Sequence, residues 1–250
     1  VQETLTVLGN FLIILFSILV FSSPFYYLYR RQGHGTIKSH GINREIAGFL
    51  QSKQADYLIF FWAMANALFW FIIPEFLLLL IIFMRTKHRR ELLIYNIFGT
   101  VAGTVLAFAI NLPDYLIEKL PYIQPAMTGQ VATWFDKSGI FALIHQPFSG
   151  VPYEVFAYLG PNYHILIIVF IIVAVLVSLA RYFIVYFVLN LIYPLLHRYV
   201  YRNYVYLFLV VVFIFSLLFI QVYNSYDSSY TISVGGQNTV AIRKVSAGWW

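Results

Sequence analysis

The chain contains no cysteine. That excludes disulfides, thiol nucleophiles and thiolate metal sites, and leaves the redox compartment unmarked. Charge is scarce as well: ten acidic and 16 basic residues make up 10% of the 250 positions. Also missing are an HExxH pair, a GxSxG elbow, a P-loop and an aspartate pair for phosphoryl transfer. The six histidines, His34, His40, His88, His145, His164 and His197, show no ligand spacing. His145 lies beside a broken apolar segment, where a lone histidine is more often structural than functional. The expectation is therefore a protein that is not an enzyme and needs no cofactor or metal. The formal net charge of +6 does not indicate nucleic acid, because the Lys and Arg residues flank apolar runs and interleave with no aromatic platform. Topology and anionic headgroups account for them better.

What the chain does have is apolar length. Hydrophobic residues make up 61% of it, aromatics 20%, and its mean hydropathy is +0.77. A soluble domain of this size would leave large apolar patches exposed, so the composition belongs to an integral, multi-pass membrane protein with an all-α fold. Four runs have the length to span a bilayer: Leu5 to Tyr29, closed by Arg30 and Arg31; Leu92 to Leu112; Tyr163 to Tyr193; and Val205 to Tyr223. Between the first two, Ile42, Ile46, Phe49 and Leu50 recur at helical spacing, as in an interfacial amphipathic helix. GQVATWFDK reads as a short helix within the connector over 114–137. Pro194 and LHRYVYRN read as a loop, and TVAIRKV near the end as strand-like.

Two further apolar segments are broken. Tyr57 to Met84 is interrupted by Pro74 and Glu75, and Gly139 to Gly160 by Pro147, Gly150 and Pro152, with Gln146, Ser149 and Glu154 near the turn. Proline removes a backbone donor and clashes with the preceding turn; neither arm of the second segment then has the roughly 20 residues of a straight span. We expect two opposed re-entrant hairpins in addition to about four spans. Charge bias supports this topology. One straight span at Tyr57–Met84 would separate Arg30, Arg31, Lys38, Arg44 and Lys53 from Arg85, Lys87, Arg89 and Arg90, whereas a hairpin leaves both clusters on the cytoplasmic side. The N-terminus and the C-terminal tail then lie on the non-cytoplasmic side. The organisation that follows is a first span over 1–31, a cytoplasmic loop over 32–56, a membrane core over 57–193, a last span over 194–223 and a polar tail over 224–250. Gly99 and Gly103, four apart, favour close helix packing.

Taken in order, FIIPEFLLLLI, LIYNIFGTVAGTVLAFAI, WFDKSGIFALIHQPFSGVPYEVFAYLG and SLARYFIVYFV resemble the DedA or VTT-domain family, also called SNARE-associated Golgi proteins, with the YqaA-like branch nearest. Glu75, the Gly99 and Gly103 pair, Gly139 with Pro147 and Gly150, and Arg181 carry the resemblance, which covers about half of the chain. It implies an inverted-repeat fold and a protein that moves or scrambles lipids, including polyprenyl phosphate carriers in some relatives.

A carboxylate at membrane depth costs on the order of 3 kcal/mol or more, so it needs a partner or a task. Glu75 is expected to serve as proton carrier or headgroup gate, or else to accept hydrogen bonds from freed hairpin backbone. Glu154 is expected either to share such a functional role or to lie close enough to the interface to be solvated, and Arg181 is expected to be the counter-ion of one of the two acids. The aromatic residues Phe60, Phe61, Trp62, Phe69, Trp70 and Phe71 read as lipid-facing packing. The expected function is a transporter or scramblase passing a lipid or lipid phosphate between leaflets, its pathway lined by Glu75, Glu154, Arg181, Gln146 and Ser149. Membrane lipids would be its partners. The alternative is a non-catalytic structural or assembly subunit, in a homo-oligomer or a larger membrane complex.

Overall fold

The computed structural model describes residues 2–34, 42–72, 74–84 and 89–227. Residues 35–41 of the expected loop over 32–56, residues 85–88 with their basic side chains, and the strand-like tail segment lie outside the described residues. Among the described residues eleven α-helices follow one another: α1 Gln2–Tyr29, α2 Ile42–Leu50, α3 Lys53–Asn66, α4 Pro74–Met84, α5 Arg89–Ile110, α6 Asp114–Ile117, α7 Pro125–Ser138, α8 Gln146–Ser149, α9 Tyr153–Leu159, α10 Ile167–Arg202 and α11 Tyr204–Asp227. Tight 3₁₀ turns cover Gly139–His145 and Gly160–Tyr163. Among the described residues there is no strand.

Four of these helices are long and apolar enough to cross a bilayer: Val7–Gln32, Arg90–Ile110, Ile167–Tyr193 and Tyr204–Tyr226. They coincide with the four runs read from the sequence, and the chain is a multi-pass membrane protein on that ground. Polarity does not separate their inner and outer faces. Outward positions such as Phe16, Phe98, Phe187 and Leu191 are as apolar as the buried Ile14, Ile18, Phe170 and Val212, as expected where the surrounding solvent is hydrocarbon.

One expectation is corrected. Helix α10 does not stop before Pro194 but continues through it to Arg202, a length of about 54 Å. A proline inside a helix frees one carbonyl, and membrane helices tolerate this where neighbouring groups or a local adjustment satisfy it. Helix α1 likewise contains Pro24.

The tightest helix pair is α3 with α5, and glycine explains it. A Cβ on Gly99 would overlap the Phe60 carbonyl oxygen and lie 2.9 Å from Ala63 Cβ; on Gly103 it would lie 2.5 Å from the Met64 carbonyl oxygen. The GxxxG face is therefore spent inside the chain, against its own α3. Helix α5 ends on Asn111, whose φ of 45° is left-handed and whose N–H reaches the Ala107 carbonyl at 2.9 Å, closing the helix before Pro113.

Between α3 and α4 the backbone is irregular, and several of its polar groups are bonded within the protein. Ala65 O accepts from the N–H groups of Leu68, Phe69 and Trp70 at 2.8–2.9 Å. Asn66 Nδ2 donates to Trp70 O at 2.7 Å, and Trp62 Nε1 donates to Ile72 O at 2.9 Å. Trp62 is fully buried, against Phe21 and Trp70 at centroid distances of 5.1 and 5.4 Å. The aromatic group thus divides: Phe61 and Phe69 are exposed, whereas Trp62 and Phe71 belong to the core. Tyr122, held at a left-handed φ of 62°, seals the same turn by packing on Phe71 and Phe219 at 4.4 and 4.9 Å.

The second broken segment turns at Gly150, whose φ is +71°. Val151 N–H bonds to Ser149 Oγ at 3.2 Å, and Tyr226 on α11 donates to Ser149 O at 2.9 Å. A Cβ on Gly150 would overlap Val222 Cγ1. Gly150→Ala should cost about 1–2 kcal/mol for the left-handed backbone alone, plus the overlap. We expect a lower thermal midpoint in detergent, recovered only in part by adding Val222→Ala; full recovery would show that the backbone angle contributes nothing.

Candidate functional site

Glu75 lies in the first turn of α4, directly after Pro74. Proline at the first helical position is favourable, because its missing N–H would have had no partner, and the helix N-terminus suits a carboxylate. Helices α4 and α10 pack together, which brings Arg181 alongside: its Nε stands 3.0 Å from Glu75 Oε1, with side-chain exposures of 14% and 6%. This is an ion pair by distance in which the N–H is not aimed at the carboxylate, so neither Glu75 oxygen has an aligned hydrogen bond. The guanidinium is oriented by other groups: Nη1 donates to Gln146 Oε1, and Nη2 to Ser178 Oγ at 3.5 Å. Burying two ions costs several kcal/mol each, and mutual attraction repays it only with satisfied geometry. Here Arg181 is well supported and Glu75 is held by charge alone.

This pair sits at the edge of a groove of about 560 Å³ between the second broken segment and α10. One wall is Phe141, Ile144, Pro147 and Phe148; the other includes Leu176 and Val177. Phe141, Ile144, Phe148 and Leu176 are exposed on the outer surface, so the groove opens where hydrocarbon would lie. An apolar groove that one oppositely charged pair also lines offers an amphiphile a place for each of its halves.

The other expected site residues are placed differently. Gln146 is buried and reaches the groove's charge only through Arg181. Ser149 is spent on the turn, bonding Gln146 O at 3.3 Å and capping Val151. Pro152 is the residue preceding α9. Glu154 lies apart from the groove, in α9, where every residue from 151 to 160 is buried; it is fully buried and neither of its carboxyl oxygens has a hydrogen-bond partner. Its neighbour Tyr153 meets Thr104 Oγ1 at 2.8 Å, and Thr104 and Thr100 each bond back one turn along α5. Thus Arg181 joins Glu75 and not Glu154.

Sequence reasoning missed Ser178, although a serine three residues before an intramembrane arginine, one turn along the same face, is a readable signal. It also missed the groove, whose walls are ordinary apolar residues. His145 stacks on Trp134 at 4.8 Å, away from the ion pair. Among the described residues, no group of three or more His, Asp or Glu is arranged to hold a metal ion. Compared with protein-family models, with curated proteins and with solved structures, the chain finds no match.

Proposed function

We propose that the protein passes an amphiphilic lipid between leaflets, with the headgroup travelling past the Glu75–Arg181 pair while its chains stay in the apolar groove. The observation that carries this reading is the buried pair lining a 560 Å³ groove with otherwise apolar walls. An ion pair kept at membrane depth without a complete set of hydrogen bonds is costly as pure scaffolding. It is readily disturbed by a passing phosphate or amine, which is what a headgroup gate requires.

In this proposal the two broken segments are re-entrant hairpins. Helices α3 and α4, with 14 and 11 residues, are about 21 and 17 Å long against a hydrocarbon core of about 30 Å. Irregular backbone at that depth is tolerated only when protein satisfies it, as Asn66 and Trp62 do in the first turn. Four crossings then leave both termini on the non-cytoplasmic side. Opposed broken helices around a midplane site are a transporter plan, and the motif order resembling the DedA or VTT-domain family agrees with it.

The test is lipid scrambling in proteoliposomes, with fluorescent lipids and a membrane-impermeant quencher. Wild-type protein should let quenching pass well beyond the outer-leaflet half. Glu75→Gln, which keeps the shape and removes the charge, should slow the exchange roughly tenfold, a barrier change of about 1.4 kcal/mol. No movement above protein-free vesicles, or wild-type rates from the variant, would overturn the reading.

A further inference from the structure

A second groove, of about 350 Å³, lies along α1. Ile18, Leu19, Ser22, Ser23 and Tyr26 line it from α1. Their spacing is that of one helical face, so the groove runs parallel to the helix axis for about 12 Å. Two serines open the hollow between bulkier neighbours. Leu58 and Leu77 also line it, and Phe49 of α2 lines it beside Tyr26, their ring centroids 5.6 Å apart. Ser23 is exposed and Leu19 is 55% exposed, so the opening faces outward from α1.

The two ends of the groove differ. Helices α1 and α11 run antiparallel, since Phe11 meets Phe213 edge-on at 5.8 Å while Tyr26 shares the groove with Tyr204. The Tyr26 end therefore adjoins both the C-terminus of α1, where Arg30 and Arg31 are exposed, and Arg202, also exposed, just before α11. Glu45 offsets part of this charge, at 3.6 Å from Arg30 Nε; it also accepts from the Tyr26 hydroxyl. At the other end the groove is wholly apolar.

We infer that this groove is a resident site for an anionic phospholipid of the bilayer, one acyl chain lying along α1 over Ser22 and Ser23 and the phosphate at Arg30 and Arg31. A groove parallel to a spanning helix accepts a chain in the direction chains already run in the bilayer. Arginine forks match phosphate oxygens, and each basic side chain near a headgroup favours an anionic lipid roughly fivefold. The site is separate from the Glu75 groove. It would hold a lipid through α1, α2 and α11, whatever passes α10.

Native mass spectrometry of the detergent-purified full chain tests this by titration with phosphatidylglycerol and phosphatidylcholine of identical chains. One phosphatidylglycerol should be retained at least roughly fivefold more tightly than phosphatidylcholine. Arg31→Gln should cut that preference roughly fivefold without changing phosphatidylcholine binding. Ser22→Phe, which fills the hollow, should remove the retained lipid. Glu75→Gln should leave the binding unchanged, which separates this site from the transport reading. Equal affinity for the two lipids, or an unchanged preference in Arg31→Gln, would overturn the inference, as would retention by folded Ser22→Phe. Should Ser22→Phe fail to fold, the exposed Arg31 substitution decides alone.

Discussion

Arg181→Met should destabilise the protein by about 3–5 kcal/mol, the cost of leaving a buried carboxylate without its counter-ion. Glu75 is 5% exposed and neither of its oxygens has an aligned hydrogen bond, so its carboxylate depends on the guanidinium charge at 3.0 Å. Gln146 Oε1 loses its donor in the same substitution. Adding Glu75→Leu should restore most of the stability, because exchanging both members of a buried pair for apolar residues of similar volume is often neutral or better. The double variant should nevertheless transport no lipid. Thermal unfolding in detergent, read by circular dichroism, measures the first effect, and the vesicle assay measures the second. If the single variant melts like wild type, the pair does not hold α4 to α10; if the double variant still scrambles, the pair is not the gate.

Gly99→Leu should separate α3 from α5. The contact there is backbone against backbone: a single added carbon on Gly99 already overlaps the Phe60 carbonyl oxygen, and no rotamer relieves that. Overpacking into a tight interface costs about 1–3 kcal/mol even for a methyl or two, so Gly99→Ala should lower the thermal midpoint measurably and Gly99→Leu should abolish the folded state. Gly129 supplies the control. It lies inside α7 with nothing within 4 Å of its hypothetical Cβ, and Gly129→Ala should stabilise by about 0.5–1 kcal/mol through helix propensity. Equal effects at Gly99 and Gly129 would mean that the α3–α5 contact is not close.

A second consequence concerns assembly. Small-residue faces in membrane helices are common dimer contacts, but Gly99 and Gly103 already receive Phe60, Ala63 and Met64 of the same chain. A partner copy would have to bind elsewhere.

Run lengths, composition and the positions of proline and glycine were enough to establish the membrane class, the four spans and the two interruptions. Each of these depends on a local quantity: run length against bilayer thickness, or a proline or glycine that cannot continue a helix. The sequence also identified Glu75 and Arg181 as residues needing a partner, because charge inside an apolar run is visible without any coordinates. Their pairing was not visible. Glu75 and Glu154 each follow a proline in a broken segment, and only the packing of α4 on α10 decided that Arg181 faces the first while α9 carries the second away from the groove. The tertiary structure likewise decided that Trp62 turns inward, that Tyr122 seals a turn far from it in sequence, and that α10 continues through Pro194. The physical reason is common to all three. In lipid the outer face of a helix is as apolar as its core, so the polarity pattern that marks the inward side of a soluble helix is absent here. Which face is buried is then settled by shape, close approach at small residues and the need to satisfy freed backbone groups.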